Sequence, residues 1–395
     1  MNKGLKVARI AGTPISVNGG LVILAALFIV TLTVQGFPQI EPEASLSLRL
    51  VVASVTVLAF LGSILAHELG HATVAKRQDV GVLGITLSLL GGFAQLDRQA
   101  PTPKAEFLIA AAGPAVNFVI GGVLGVVAYA IYITESTSTL ILGALVWLAG
   151  VNVFLAVLNL VPAAPLDGGR VLTAALWKRL NDAERARVLS GRAGLVLGTV
   201  LCLVGAAQIL ASRWDGLITV LVGLFLFNGA RGEIGAATIR RRLQRTMTQE
   251  LMVTDPPPVS DALTVAQLKT FAGTERDGVA FPVVRWSPEP IGYVVPSQAA
   301  SISDPDRSWT TVSELMQPTP TVTRAWMNES VDDVLRRLDE PETVLVVIHE
   351  PTAGRVVGTM CDNQVSPLFT PPDIWGRDRD AESWHWRTAL APLGR

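Results

Sequence analysis

Cysteine, histidine and charge are all scarce in this chain. The two cysteines, Cys202 and Cys361, stand far apart in regions of different composition. That excludes a disulfide framework and a cysteine-built zinc site, and leaves both as packing residues. Asp, Glu, Lys and Arg together make up 16% of the 395 residues, and the formal net charge is -1. Without a basic excess, nucleic acid is not an expected partner. So little charge would not cover a soluble protein of this length. Half of the chain is apolar, and the excess is crowded into the first 235 positions. This asymmetry implies a polytopic α-helical membrane domain followed by a soluble α/β domain.

Six apolar segments stand out: Gly19–Gly36, Leu50–Val74, Phe107–Ile133, Thr139–Val161, Ala193–Ala211 and Gly216–Ala237. A helix needs about 20 residues to cross the hydrocarbon core, which the first five supply. The sixth carries Arg231 and Glu233 in its second half, where they can snorkel to the interface. Lys3, Lys6 and Arg9 precede the first segment, and the uncharged stretch after them exceeds what a cleaved signal requires, so it reads as an uncleaved first membrane helix. Basic residues follow the second segment (Lys76, Arg77, Arg98, Lys104), the fourth (Arg170, Lys178, Arg179, Arg185, Arg187, Arg192) and the sixth (Arg240, Arg241, Arg242, Arg245). The intervening loops are poorer in Lys and Arg, so both termini are expected in the cytoplasm. The Gly-rich stretch Val80–Leu96 is too short to span and reads as one or two strands with a turn at Gly91-Gly92. Strands at membrane depth need cover from protein or a cavity.

The chemistry-bearing pattern is His67-Glu68-Leu69-Gly70-His71, at the end of the second apolar segment. Residues four apart share a helix face, so both imidazoles can bind one metal ion, and Glu68 stands beside the first of them. Zinc in such a site lowers the pKa of a coordinated water to about 7, and a neighbouring carboxylate can move its proton. Of the four histidines in the chain, two make this pattern, in a setting where ionisable groups are expensive and usually functional. The other two, His349 and His385, lie in the soluble region, so the third ligand is expected to be a carboxylate. Asp167 is the candidate: it ends the uncharged stretch Ser136–Leu166, and Pro162, Pro165, Gly168 and Gly169 break the fourth helix around it.

These residues resemble the site-2 proteases, intramembrane metalloproteases marked by H-E-x-x-H and a distant N-x-x-P-x-x-x-L-D-G. Both patterns are present, at His67–His71 and Asn159–Gly168, and the intervening G-x-x-x-N falls at Gly113–Asn117. The resemblance implies one Zn²⁺ held by His67, His71 and Asp167, Glu68 as general base, and Asn159 holding the substrate or the oxyanion. It implies that Gly113 and Asn117 let helices pack closely round the site. A transmembrane substrate must unwind before water can attack its peptide bonds. An edge strand within Val80–Leu96, flexible at Gly84, Gly91 and Gly92, could hold the unwound piece; the alternative is a structural hairpin that seals the bilayer face. The implied activity is hydrolysis of membrane proteins at or within the bilayer, in a bacterial plasma membrane. A CBS-gated transporter would need ionisable residues along several helices, and apart from the zinc set the membrane segments offer almost none. A catalytically inactive scaffold would have no reason to keep the full set.

Beyond Arg245 a helix–strand–strand order occurs twice: Leu263–Phe271, Val279–Arg285 and Ile291–Val295, then Val331–Leu338, Thr343–His349 and Arg355–Met360. The duplication resembles a pair of CBS modules, as found after the membrane domain in the sporulation-type subgroup. Such pairs dimerise, and many bind adenine nucleotides through Gly, then Thr or Ser three residues on, then Asp three further. Here Gly292 is followed by Val295 and Gln298, and Gly358 by Cys361 and Gln364; both copies lack the hydroxyl and the carboxylate, so a docking or dimerisation module without ligand stands beside nucleotide sensing as a reading. The domain reading is 1–239 for the metalloprotease, 246–369 for the CBS pair and 370–395 for a tail containing Trp375, Trp384 and Trp386.

Overall fold

The computed structural model describes residues 5–10, 12–88, 91–134, 138–338, 345–350 and 356–369. The expected tail 370–395, with His385, lies outside the described residues. The chain divides into two compact units, the first ending at Ala237 and the second starting at Thr238.

The first unit opens on a hairpin that the sequence reading missed, β1 (Leu5–Ile10) and β2 (Thr13–Val17). A first membrane-length segment follows as α1 (Gly19–Thr31), a π-turn at Leu32–Gly36 and α2 (Phe37–Ile40). Then come α3 (Leu46–Arg77), β3 (Val82–Ser88), β4 (Gly91–Leu96), α4 (Pro103–Thr134), α5 (Thr139–Asn159), α6 (Asp167–Leu180), α7 (Ala183–Leu210) and α8 (Gly216–Arg245). Six of these segments are long and apolar enough to cross a membrane, including the sixth, which is a 30-residue helix. Apolar side chains such as Ile23, Leu58, Val126 and Leu221 face outward on them, the pattern of helices solvated by lipid rather than water.

Capping explains several of the helix ends. Ser45 Oγ accepts from the Leu48 N–H to start α3, and Asp182 caps α7 through the Arg185 N–H. Glu41 accepts from Ser138, Thr139 and the Leu140 N–H at the start of α5. Those bonds hold its carboxyl below the usual range. α3, α1 and α5 meet through Phe28, Phe60 and Trp147, whose rings pack edge-to-face at 5.8–6.3 Å.

The four strands form one sheet in the order β1-β2-β3-β4. β2 and β3 run parallel, while β1/β2 and β3/β4 are antiparallel. The expected hairpin is present, but Gly91 and Gly92 are the first residues of β4 rather than its turn: Ser88 pairs with Gly91. Ile85 and Leu87 are buried against Leu21 of α1 and Ala72 of α3, so this sheet lies on the helix that carries the metal motif.

The second unit repeats itself. Module one is β6 (Val259–Ser260), α10 (Val265–Ala272), β7 (Phe281–Val284) and β8 (Gly292–Val294), closed by β9 (Gln317–Pro318); its counterpart is β10 (Thr323–Trp326), α12 (Val331–Arg336), β11 (Leu345–His349) and β12 (Val356–Cys361). The short helices α9 (Thr248–Leu251) and α11 (Val312–Leu315) precede β5 (Val253–Thr254) and β9 respectively. The sheets have the orders β6-β7-β8-β9 and β10-β11-β12-β5. β5 thus comes from the start of the unit to complete the second sheet. The two glycines of the expected nucleotide signature occupy matching places: Gly292 lies against Met316 and Gln317, Gly358 against Met252 and Val253. Between the modules Tyr293, Val295, Val347 and Cys361 form one buried apolar cluster. Gln364 is engaged by the Cys361 N–H and the Gly278 carbonyl.

Candidate metal centre

α3 buries one polar stripe near its C-terminal end. His67, Glu68 and His71 are 6%, 6% and 5% exposed, although most of this long helix is apolar. Asp167 arrives from elsewhere. After α5 ends at Asn159, the chain turns through Leu160–Leu166, with a cis peptide before Pro165, and restarts as α6 at Asp167. Gly168 and Gly169 lie so close beneath this turn that an added methyl would overlap the Val161 carbonyl and the Ala164 amide. These two glycines are what let the Asp167 side chain approach α3.

The result is a triangle. His67 Nε2 lies 3.1 Å from Asp167 Oδ2, His71 Nε2 lies 3.2 Å from the same oxygen, and the two Nε2 atoms are 3.1 Å apart. His71 Nδ1 is 2.6 Å from the Ile109 carbonyl oxygen. A carbonyl can only accept, so Nδ1 carries a proton, and in the neutral imidazole Nε2 then presents a lone pair. Two acceptors, His71 Nε2 and a carboxylate oxygen, then face each other, an arrangement that a shared cation resolves. The edges also suit zinc: ligand atoms on a tetrahedron of radius ~2.0 Å stand about 3.3 Å apart. By donor type and spacing the three residues fit Zn²⁺, and they are the metal-type cluster found among the described residues.

Five other expected site residues take separate places. Gly113 of α4 presses on the metal set, since a methyl there would overlap Nε2 of both histidines; no residue larger than glycine fits. Gly92 of β4 does the same to the Glu68 side chain, placing the edge of the sheet directly over that carboxylate. Asn117 is one turn beyond Gly113 on α4, 1% exposed, with its Oδ1 unpaired. Gly91 opens β4 with φ of 122°. Asn159 ends α5 half-buried, and among the described residues it shares no hydrogen bond with the three ligands.

Three buried polar features of the membrane unit were not anticipated. Ile109 acts through its backbone, which no side-chain pattern can reveal. Asn152 of α5 is fully buried with Oδ1 unpaired; an Asn in the middle of an apolar helix was the available signal. The Arg170–Glu106 pair joins α6 to α4 with a 3.0 Å contact.

Fold and site together describe a chain with six membrane-length helices that brings two histidines and one aspartate into a metal-type cluster. A model of peptidase family M50 matches residues 55–134 and 124–204. The chain is 30% identical over 389 residues to "Putative zinc metalloprotease Rip3" of Mycobacterium tuberculosis, covering 94% of this chain and 97% of that protein. It is 26% identical over 348 residues to Zinc metalloprotease MJ0392 of Methanocaldococcus jannaschii, covering 88% and 91%. Among solved structures it matches a site-2 protease from M. jannaschii at 28% identity and a TM-score of 0.42, over 58% of this chain and 95% of that one. It also matches the CBS domain of a bacterial CNNM/CorC family Mg²⁺ transporter at 19% identity and a TM-score of 0.28, over 42% and 99%. The chain belongs to peptidase family M50, the site-2 protease family of zinc metalloproteases.

Proposed function

We propose that this protein is an intramembrane zinc endopeptidase in which His67, His71 and Asp167 hold one Zn²⁺ and Glu68 is the general base. The observation that carries the proposal is the triangle of two Nε2 atoms and one carboxylate oxygen, with edges of 3.1–3.2 Å, drawn from helices far apart in sequence. When bound, zinc supplies Lewis acidity toward water and the scissile carbonyl. The Glu68 carboxylate, one residue from the first ligand and enclosed by protein, takes a proton from the attacking water and passes it to the leaving amine. Burial of the site keeps bulk water and lipid away from this transfer. Asn159 would hold the substrate carbonyl or the oxyanion from the end of α5. Gly113, and Asn117 beyond it, give the histidines their room.

The substrate is a membrane protein whose helix has unwound. β4 is an edge of its sheet, and Gly92 lies against Glu68. An extended peptide pairing along that edge would run past the general base. Gly91 and Gly92 leave its path clear of side chains. The zinc lies toward the cytoplasmic end of α3, with both termini cytoplasmic, since the basic residues gather after α3, in α6 and at the end of α8. The protease domain is 1–239 and the CBS pair 246–369. The CBS pair serves docking or homodimerisation rather than nucleotide sensing, in keeping with buried Val295 and Cys361 where a hydroxyl would be needed.

The test is Glu68→Ala in cells and in purified protein. Membrane fragments present with the wild type should vanish with the variant, while zinc stays bound. Loss of metal together with activity would show that Glu68 is misassigned.

A further inference from the structure

The ligand Asp167 is the first residue of α6, and the residue before it, Leu166, provides no side-chain cap. Packing must therefore fix this helix end. Gly168 and Gly169 tuck under the Leu160–Ala164 turn. Ser190 Oγ and Thr173 Oγ1 both donate to the Gly169 carbonyl, at 2.7 and 2.9 Å. None of these contacts reaches a helix that touches the histidines. Arg170 does. It stands one turn after Asp167 and donates its Nε–H to Glu106 Oε1 at 3.0 Å. The Glu106 side chain is 5% exposed and that of Arg170 36%.

Glu106 belongs to α4, and the same helix carries Ile109 and Gly113. Spacings of three and four put these residues on one face. That face bonds His71 through the Ile109 carbonyl, clears both imidazoles at Gly113, and grips α6 at Glu106. Both halves of the metal site are thus referenced to one rigid element. The Nε–H contact leaves from a planar guanidinium fork, whose donor direction is fixed as that of a lysine point charge is not.

We propose that the Glu106–Arg170 ion pair is the strut that sets Asp167 opposite His67 and His71, making both of them positioning residues for metal binding; this rests on the metal site proposed above. A control exists in Glu184–Arg187, a 2.6 Å pair within α7 whose carboxylate side chain is as buried as that of Glu106.

The test is zinc affinity of the full-length protein in detergent, by competition with a chromophoric chelator, on material that is monodisperse and has wild-type helicity. Glu106→Gln and Arg170→Met should each weaken zinc about 10–100-fold, the range for residues that orient a metal ligand. The double variant should be no weaker than the poorer single, because both remove one interaction. Arg170→Lys, which keeps the charge without the fork, should fall between; it supplies the reading if Glu106→Gln does not fold. Glu184→Gln should lower the melting temperature and leave zinc affinity unchanged. Wild-type affinity in Glu106→Gln, Arg170→Met and Arg170→Lys, or an equal loss in Glu184→Gln, overturns the strut. A folded wild type that takes up no zinc overturns the metal site itself, which separates the two failures.

Discussion

The two units bury different things. In the soluble unit the large enclosed side chains are apolar, led by Phe281, Leu268, Ile348 and Met360, and ion pairs such as Arg285–Asp261 and Arg336–Asp332 stay half in solvent. In the membrane unit many apolar side chains look outward, and beside buried apolar ones such as Phe37 and Ile109 the polar His67, Glu68, His71, Glu106, Asn117 and Asn152 are enclosed. Burying an ionisable group in a membrane is costly unless it is paired or coordinates a metal. Where a chain accepts that cost repeatedly in one place, the place is a site. The soluble unit has no comparable concentration among its described residues, which fits an accessory role.

The sharpest way to break this contrast is at the general base. Glu68→Ala should lower peptide hydrolysis by about 10²–10⁴-fold, the span expected of general base catalysis, with zinc content by atomic absorption unchanged. Next comes the close approach at Gly113. Gly113→Ala puts a methyl into both imidazoles and should strip zinc from the protein and lower its melting temperature, as overpacking costs about 1–3 kcal/mol. In the soluble unit the same kind of probe should leave the metal alone. Leu268→Ala removes a fully buried side chain and should destabilise that unit by about 2–5 kcal/mol, read by denaturant unfolding, without zinc loss. Deleting everything after Arg245 carries this to its limit. The zinc site should remain, although Ile239 and Leu243 at the end of α8 lose the apolar partners they have around Val331 and Ile348. The smallest effect is expected at the α10 cap, where Thr264 and Gln267 bond each other's backbone N–H groups. Thr264→Ala should cost about 1 kcal/mol.

The meeting of His67, His71 and Asp167 was legible because the chemistry proposed for them constrains their pattern. Two imidazoles that share a metal from one helix must be four apart, and a third ligand from a broken helix leaves prolines and glycines around Asp167. The six spans were legible because lipid demands length. The helices nevertheless extend past the apolar runs. α3 starts at Leu46 and ends at Arg77, since charged residues continue a helix into the interface without looking like membrane. α6 was hidden for the same reason, its lysine and arginines reading as a loop. β1 was hidden because Lys6 and Arg9 look like the flank of a membrane helix and, three residues apart, break the alternation of a strand, which a register shift between Lys6 and Ala8 accommodates. The Glu106–Arg170 contact spans 64 positions, and no local pattern encodes a pairing that only tertiary packing creates.

The most direct test of the account is zinc K-edge absorption on the purified full-length wild type beside Asp167→Ala. The account expects one zinc per chain in the wild type, with nitrogen and oxygen ligands that include two imidazoles, and loss or marked weakening of that zinc in the variant. A sulfur ligand, or an identical zinc spectrum in Asp167→Ala, would contradict it.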